Sequence, residues 1–128
     1  MEAHYFTLEE ANSALRIIRP LIEEILSIRD DILAHKPEVW PAIERSAGNG
    51  GNATLSRVAE HFDRLDKLVH RVLDTGVQVK DINTGLLDFP AWRVDHEVYL
   101  CWKYGEDQVR FWHEIDAGFA GRQPIEAF

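Results

Sequence analysis

Residues 113–122 read His-Glu-Ile-Asp-Ala-Gly-Phe-Ala-Gly-Arg, so an imidazole, two carboxylates and a guanidinium fall within one short stretch. His113 and Asp116 are three apart, a spacing that brings both side chains to one side of a helical turn. Imidazole with carboxylate is a common ligand pair for a divalent metal. Two ligands do not complete a site, and Asp81, Asp88 and Glu97 are the upstream acids that a folded sheet can bring near. The expected metal set is therefore His113, Asp116 and Asp88, with Arg122, Asp88 and Glu114 as contacts for any small-molecule ligand. A metal held there would polarise a substrate oxygen or activate water. His113-Glu114 also looks like half of a zinc-protease helix motif, but position 117 is alanine where that motif needs histidine. The protease reading is rejected.

A structural account of the same residues competes with the chemical one, because buried polar groups are usually just paired. On this account His113 sits at a sheet edge, bonded to Asp116 or Asp88, and fixes the exit of the chain from its last strand. Arg122 can hold an anion above the Gly118 and Gly121 backbone or clamp Asp116 or Asp88 with its planar fork, and the clamp is preferred. The two glycines alone do not indicate a phosphate loop. His61 flanks the apolar stripe of a helix, His70 lies on its polar face, and His4, His35 and His96 fall near ends or turns. Cys101 alternates with Leu100 and Trp102, so it points to the opposite sheet face beside Tyr99, and with no histidine at motif distance it reads as a small filler rather than a nucleophile.

The elements that must position these groups begin with a helix over residues 7–35. Thr7-Leu8-Glu9-Glu10 forms a capping box, in which Thr7 accepts from the Glu10 amide and Glu10 reaches back to Thr7. Leu8, Ala11, Leu15, Ile18, Ile22 and Ile25 follow helical spacing, and Ala14, Ile17, Leu21 and Ile28 form a second apolar row beside them. Pro20 predicts a kink or a restart. Residues 37–54, rich in proline and then glycine, are expected to form a flexible loop. A second helix over residues 55–74 repeats the pattern through Leu55, Val58, Phe62, Leu65, Val69 and Val72, and Gly76 can end it in the left-handed conformation. The two long helices are expected to pack antiparallel.

After Gly76 the period becomes alternating. Residues 77–81 turn at Asn83-Thr84-Gly85 into residues 86–89, Pro90 marks an edge or bend, and residues 91–94 turn at Asp95-His96 into residues 97–103. A last turn at residues 104–107 returns the chain through residues 109–113. If Lys103 faces Gln108, then Trp102 faces Val109, Leu100 faces Phe111 and Val98 faces His113, all on the side toward the helices. The fold class expected is α+β: two long antiparallel helices on an antiparallel sheet of three to four strands.

Several runs together carry a resemblance to a known family: residues 6–12 (Phe-Thr-Leu-Glu-Glu-Ala-Asn), 76–81 (Gly-Val-Gln-Val-Lys-Asp) and 85–91 (Gly-Leu-Leu-Asp-Phe-Pro-Ala), with residues 98–103 and 111–124 as the most specific part. The chain resembles the bacterial domain of unknown function 2203 over nearly its whole length outside residues 37–54. That resemblance implies a bacterial origin and no particular activity.

Composition bounds the remaining possibilities. One domain spanning residues 1–128 is long enough to bury a core without covalent staples. A net charge of −8 with scattered basic residues disfavours nucleic acid. Nothing apolar runs for the roughly 18 residues of a membrane span, and the first residues lack a secretory pattern. The expected location is cytoplasmic. With Trp112 expected to point away from the helices and two apolar rows on the first helix, a second copy of the chain is expected to cover what is left, making a homodimer. The sequence thus leads to a homodimeric structural or interaction protein, with a divalent-metal-binding protein or metal-dependent enzyme using His113 and Asp116 as the alternative.

Overall fold

The computed structural model describes residues 4–46 and 59–127. Helix α1, Leu8–His35, opens on the expected capping box: the Glu10 amide donates to Thr7 Oγ1 at 3.0 Å and the Thr7 amide to Glu10 Oε1 at 2.9 Å. It runs through Pro20 without a break. Arg16 and Pro20 both lie on the exposed side, so the carbonyl that loses its donor can turn to water. Ala11, Leu15, Ile18, Ile22, Ile25 and Ile32 are buried along one face, and Leu21 and Ile28 from the second row are buried as well, whereas Ile17 is exposed.

Additional helix accounts for that wide burial. The segment expected to be a loop opens instead with a 3-10 turn, Pro37–Val39, and a short helix α2, Trp40–Ser46, whose Trp40 and Ile43 enter the core. Proline at the first turn is compatible with a helical start, because its missing N–H would have no partner there. Residues 47–54 of the expected loop lie outside the described residues, as do Leu55 and Val58.

Among the described residues helix α3, Ala59–Leu73, is about half as long as α1, so only one helix is long where two were expected. Phe62, Leu65, Leu68, Val69 and Val72 are its buried face. Arg64 pairs with Glu24, and Gly76 beyond its end packs against His4, so α3 runs opposite to α1. Gly76 adopts φ +99°, the conformation expected of it at the helix end.

Among the described residues five strands form one antiparallel sheet in chain order, where three to four were expected. They are β1 Gln78–Asp81, β2 Leu86–Arg93, β3 His96–Lys103, β4 Phe111–Glu114 and β5 Gln123–Pro124. β2 continues through Pro90 because β1 pairs only as far as Asp88; beyond it, the Phe6 amide bonds the Pro90 carbonyl at 2.7 Å. The β2–β3 hairpin turns at Val94-Asp95, one residue earlier than expected, so Asp88 faces Cys101.

The β3–β4 register also differs from expectation. Leu100 faces Trp112, Cys101 faces Phe111 and Tyr99 faces His113. The cause is a longer loop over residues 104–110, anchored away from the ladder. Trp102 Nε1 donates to the Glu106 carbonyl at 3.0 Å, and the Val109 amide leaves the sheet for Asn12 Oδ1 of α1 at 2.8 Å. A slip of one residue sends each side chain to the opposite face. Trp112 therefore joins Leu87, Phe89, Val98, Leu100 and Trp102 in the core, and His113 goes to the outer face. With Trp112 inside and α2 covering α1, both grounds for expecting a second copy of the chain are weakened.

Candidate metal centre on the outer sheet face

On the outer face, side chains alternate with the core-facing ones. Asp88 on β2, Cys101 and Tyr99 on β3, and His113 on β4 stand side by side across three neighbouring strands. His113 Nε2 lies 3.0 Å from Asp88 Oδ1, and Nδ1 lies 2.7 Å from the Glu114 carbonyl oxygen. Both side chains are almost fully buried, at 2% and 5% exposure. A carbonyl only accepts, so Nδ1 carries a proton; Nε2 facing a carboxylate then requires a further proton shared between them. One ligand atom from each of Asp88, Cys101 and His113 falls within a mutual 4.8 Å. Burial pushes the Cys101 thiol up to about 12, and the neighbouring Asp88 charge adds to the effect, so the thiol carries its proton at neutral pH.

These three residues form part of the wall of a cavity of about 210 Å³. Its roof is supplied by the chain after β4. Gly118 takes φ +66°, which turns the backbone into a 3-10 turn, Phe119–Gly121, and sets Phe119 over the opening. Gly121 fits closely there, since a Cβ at that position would come within 2.5 Å of Ala117 Cβ. On the opposite rim Lys80 Nζ lies 4.8 Å from the centre of the Tyr99 ring.

The expected site residues divide into those gathered here and those placed elsewhere. His113 and Asp88 meet. Asp116 is exposed on the turn after β4 and is not part of the cluster, so the three-residue spacing from His113 does not become a shared helical face. Glu114 turns the other way, its carboxylate 2.9 Å from His96 Nε2, and only its main-chain carbonyl touches His113. Arg122 clamps Glu106 at 2.6 Å instead of Asp116 or Asp88, with its guanidinium carbon 3.9 Å from the Phe111 ring centre and 4.7 Å from that of Phe119. Asp81 caps its own turn by accepting from the Asn83 amide at 2.8 Å.

Cys101 is the member that sequence reasoning set aside. Its partners come from adjacent strands rather than from a spacing along the chain, so the usable signal was the hairpin register: a turn at Val94-Asp95 puts Cys101 directly opposite Asp88.

The family model described as an uncharacterized conserved protein, DUF2203, matches residues 4–125. The chain belongs to the DUF2203 family. No curated protein and no solved structure matches it. The DUF2203 match takes in all five strands and the turn that roofs the cavity, so every residue of the cluster lies within the family domain. Among the described residues no helix is long and apolar enough to cross a membrane.

Proposed function

We propose that this DUF2203 chain is a divalent-metal-binding protein, with Asp88, Cys101 and His113 as the ligands and a fourth coordination position opening into the cavity. The observation that carries the reading is the convergence of a carboxylate, a thiol and an imidazole, all buried, within 4.8 Å on three paired strands. One oxygen, one sulfur and one nitrogen ligand with a fourth position open is the donor pattern of zinc sites that act on a ligand. The bond from His113 Nδ1 to a main-chain carbonyl is the outer support that orients a metal-binding imidazole. Binding would displace the proton between Nε2 and Asp88 and the thiol proton of Cys101. The metal would supply Lewis acidity toward an oxygen entering from the cavity.

The test is titration of metal-free protein with zinc against a competing chelator, and with cobalt followed by absorption. One equivalent should bind, cobalt should give a thiolate charge-transfer band, and Cys101→Ser should abolish that band. Asp88→Asn and His113→Gln should each weaken binding by more than tenfold. Failure to bind one equivalent at micromolar zinc, or a cobalt spectrum unchanged by Cys101→Ser, would overturn the assignment.

A second reading is favoured by the fact that both nitrogens of His113 are already bonded. In it the cluster is a structural clip joining β2 to β4 across β3. The same titration separates the two, because a clip binds no stoichiometric metal.

A further inference from the structure

The bond pattern of β1 carries an irregularity beside the cavity. Val79 pairs with Leu87 and Asp81 with Leu86, so Lys80 is an extra residue without a ladder partner. Such a bulge re-aims the side chain it carries. Here it places the Lys80 ammonium over Tyr99 at the cavity wall. Among the described residues Lys80 has no carboxylate partner, unlike Arg122, which Glu106 neutralises. The chain as a whole is strongly acidic, at −8, so an unpaired cation on this rim is a local reversal of charge.

From this placement we infer that the cavity takes a small monoanionic carboxylate with a flat apolar body, its carboxylate bridging Lys80 and the metal, its body lying between Tyr99 and Phe119. The inference rests on the metal reading above and names the ligand of that same site. Charge bookkeeping selects the class. Among the residues that line the cavity, a divalent ion with the Asp88 carboxylate and the Cys101 thiolate sums to zero, which leaves the single positive charge of Lys80 to be matched. Size agrees, since a cavity of about 150 Å³ accommodates benzene and this one is about 210 Å³. The remaining wall is apolar, contributed by Leu86, Ile115 and Phe119.

Benzoate, with benzamide as its neutral isostere, is the probe, measured by calorimetry on zinc-loaded and zinc-free protein after the zinc titration itself. Benzoate should bind the zinc-loaded protein at least tenfold more tightly than benzamide does, and at least tenfold more tightly than it binds the zinc-free protein. Lys80→Gln should remove at least tenfold of the benzoate affinity without lowering zinc affinity, because Lys80 is exposed and is not a ligand to the metal. Stoichiometric zinc with no preference for benzoate over benzamide, or benzoate affinity indifferent to Lys80→Gln, overturns this inference and leaves the metal site standing. Protein that takes up no zinc overturns both.

Discussion

His113 and Asp88 are bonded to each other over the top of an intervening strand: the imidazole leaves β4, the carboxylate leaves β2, and they meet at 3.0 Å above β3 between Tyr99 and Cys101. Both are almost fully buried, so removing one partner leaves the other unpaired at that atom. Asp88→Ala is expected to lower stability by about 3 kcal/mol in urea denaturation of the metal-free protein, the cost of an uncompensated buried group. The shape-matched double change Asp88→Leu with His113→Phe should cost clearly less than the two single changes added together. Additive losses would show that the two side chains are not coupled.

Two glycines with positive φ should respond differently to alanine. Gly85 has φ +69°, and a Cβ there would stand 2.7 Å from Tyr104 Cβ and 3.0 Å from Ile22 Cγ2. Gly105 has φ +106° with open space around it. Gly85→Ala should therefore cost about 2 to 4 kcal/mol, strain plus overlap, and Gly105→Ala about 1 to 2 kcal/mol, strain alone. Chemical denaturation of the two variants side by side checks the order.

The tip of the β2–β3 hairpin is strained. Val94 has φ +60° and is 93% exposed, and the Asp95 amide bonds the Arg93 carbonyl across it at 2.8 Å. This is the γ-turn of the disfavoured hand, occupied by a β-branched residue. Val94→Asn should raise stability by about 1 kcal/mol, since asparagine tolerates a positive φ and the valine side chain contributes almost no burial. A rise in the thermal midpoint would be seen; a fall would show that Val94 packs against something in solution.

His96 stands between two carboxylates, Asp95 Oδ1 at 3.0 Å and Glu114 Oε1 at 2.9 Å. Its pKa is raised above 6.5, chiefly by the Asp95 bond, which outweighs the opposing effect of burial, and further by the Glu114 charge and bond. A base raised in the folded state stabilises fully below its unfolded value, and the contribution is lost as pH rises through the folded value. The imidazole titration followed by NMR should have its midpoint above 6.5, and Asp95→Asn and Glu114→Gln should each move it down. Stability should decline slightly over that same interval in wild type and less in Asp95→Asn, where Glu114 still holds the imidazole. A midpoint indifferent to both substitutions would contradict the pairing.

Local chemistry was legible in the sequence wherever a feature depends on neighbours along the chain. The Thr7–Glu10 capping box, the buried face of α1, the part of the α3 stripe from Phe62 to Val72 and the end of α3 at Gly76 all follow from spacings of three or four residues, because one helical turn brings such residues together. The Pro37 and Pro41 segment misled, since proline at a helix start looks the same as proline in a loop until Trp40 and Ile43 are seen to be buried. The α+β class and the alternating strands were legible for the same local reason.

The candidate site was decided by tertiary structure. Asp88, Cys101 and His113 come together only because two hairpin registers fall where they do, and each register hangs on a loop detail remote from the site: the turn at Val94-Asp95, and the capture of the Val109 amide by Asn12. Strand pairing has a period of two, so an error of one residue exchanges the faces. That exchange moved Trp112 into the core and His113 onto Asp88, and no spacing along the chain encodes it.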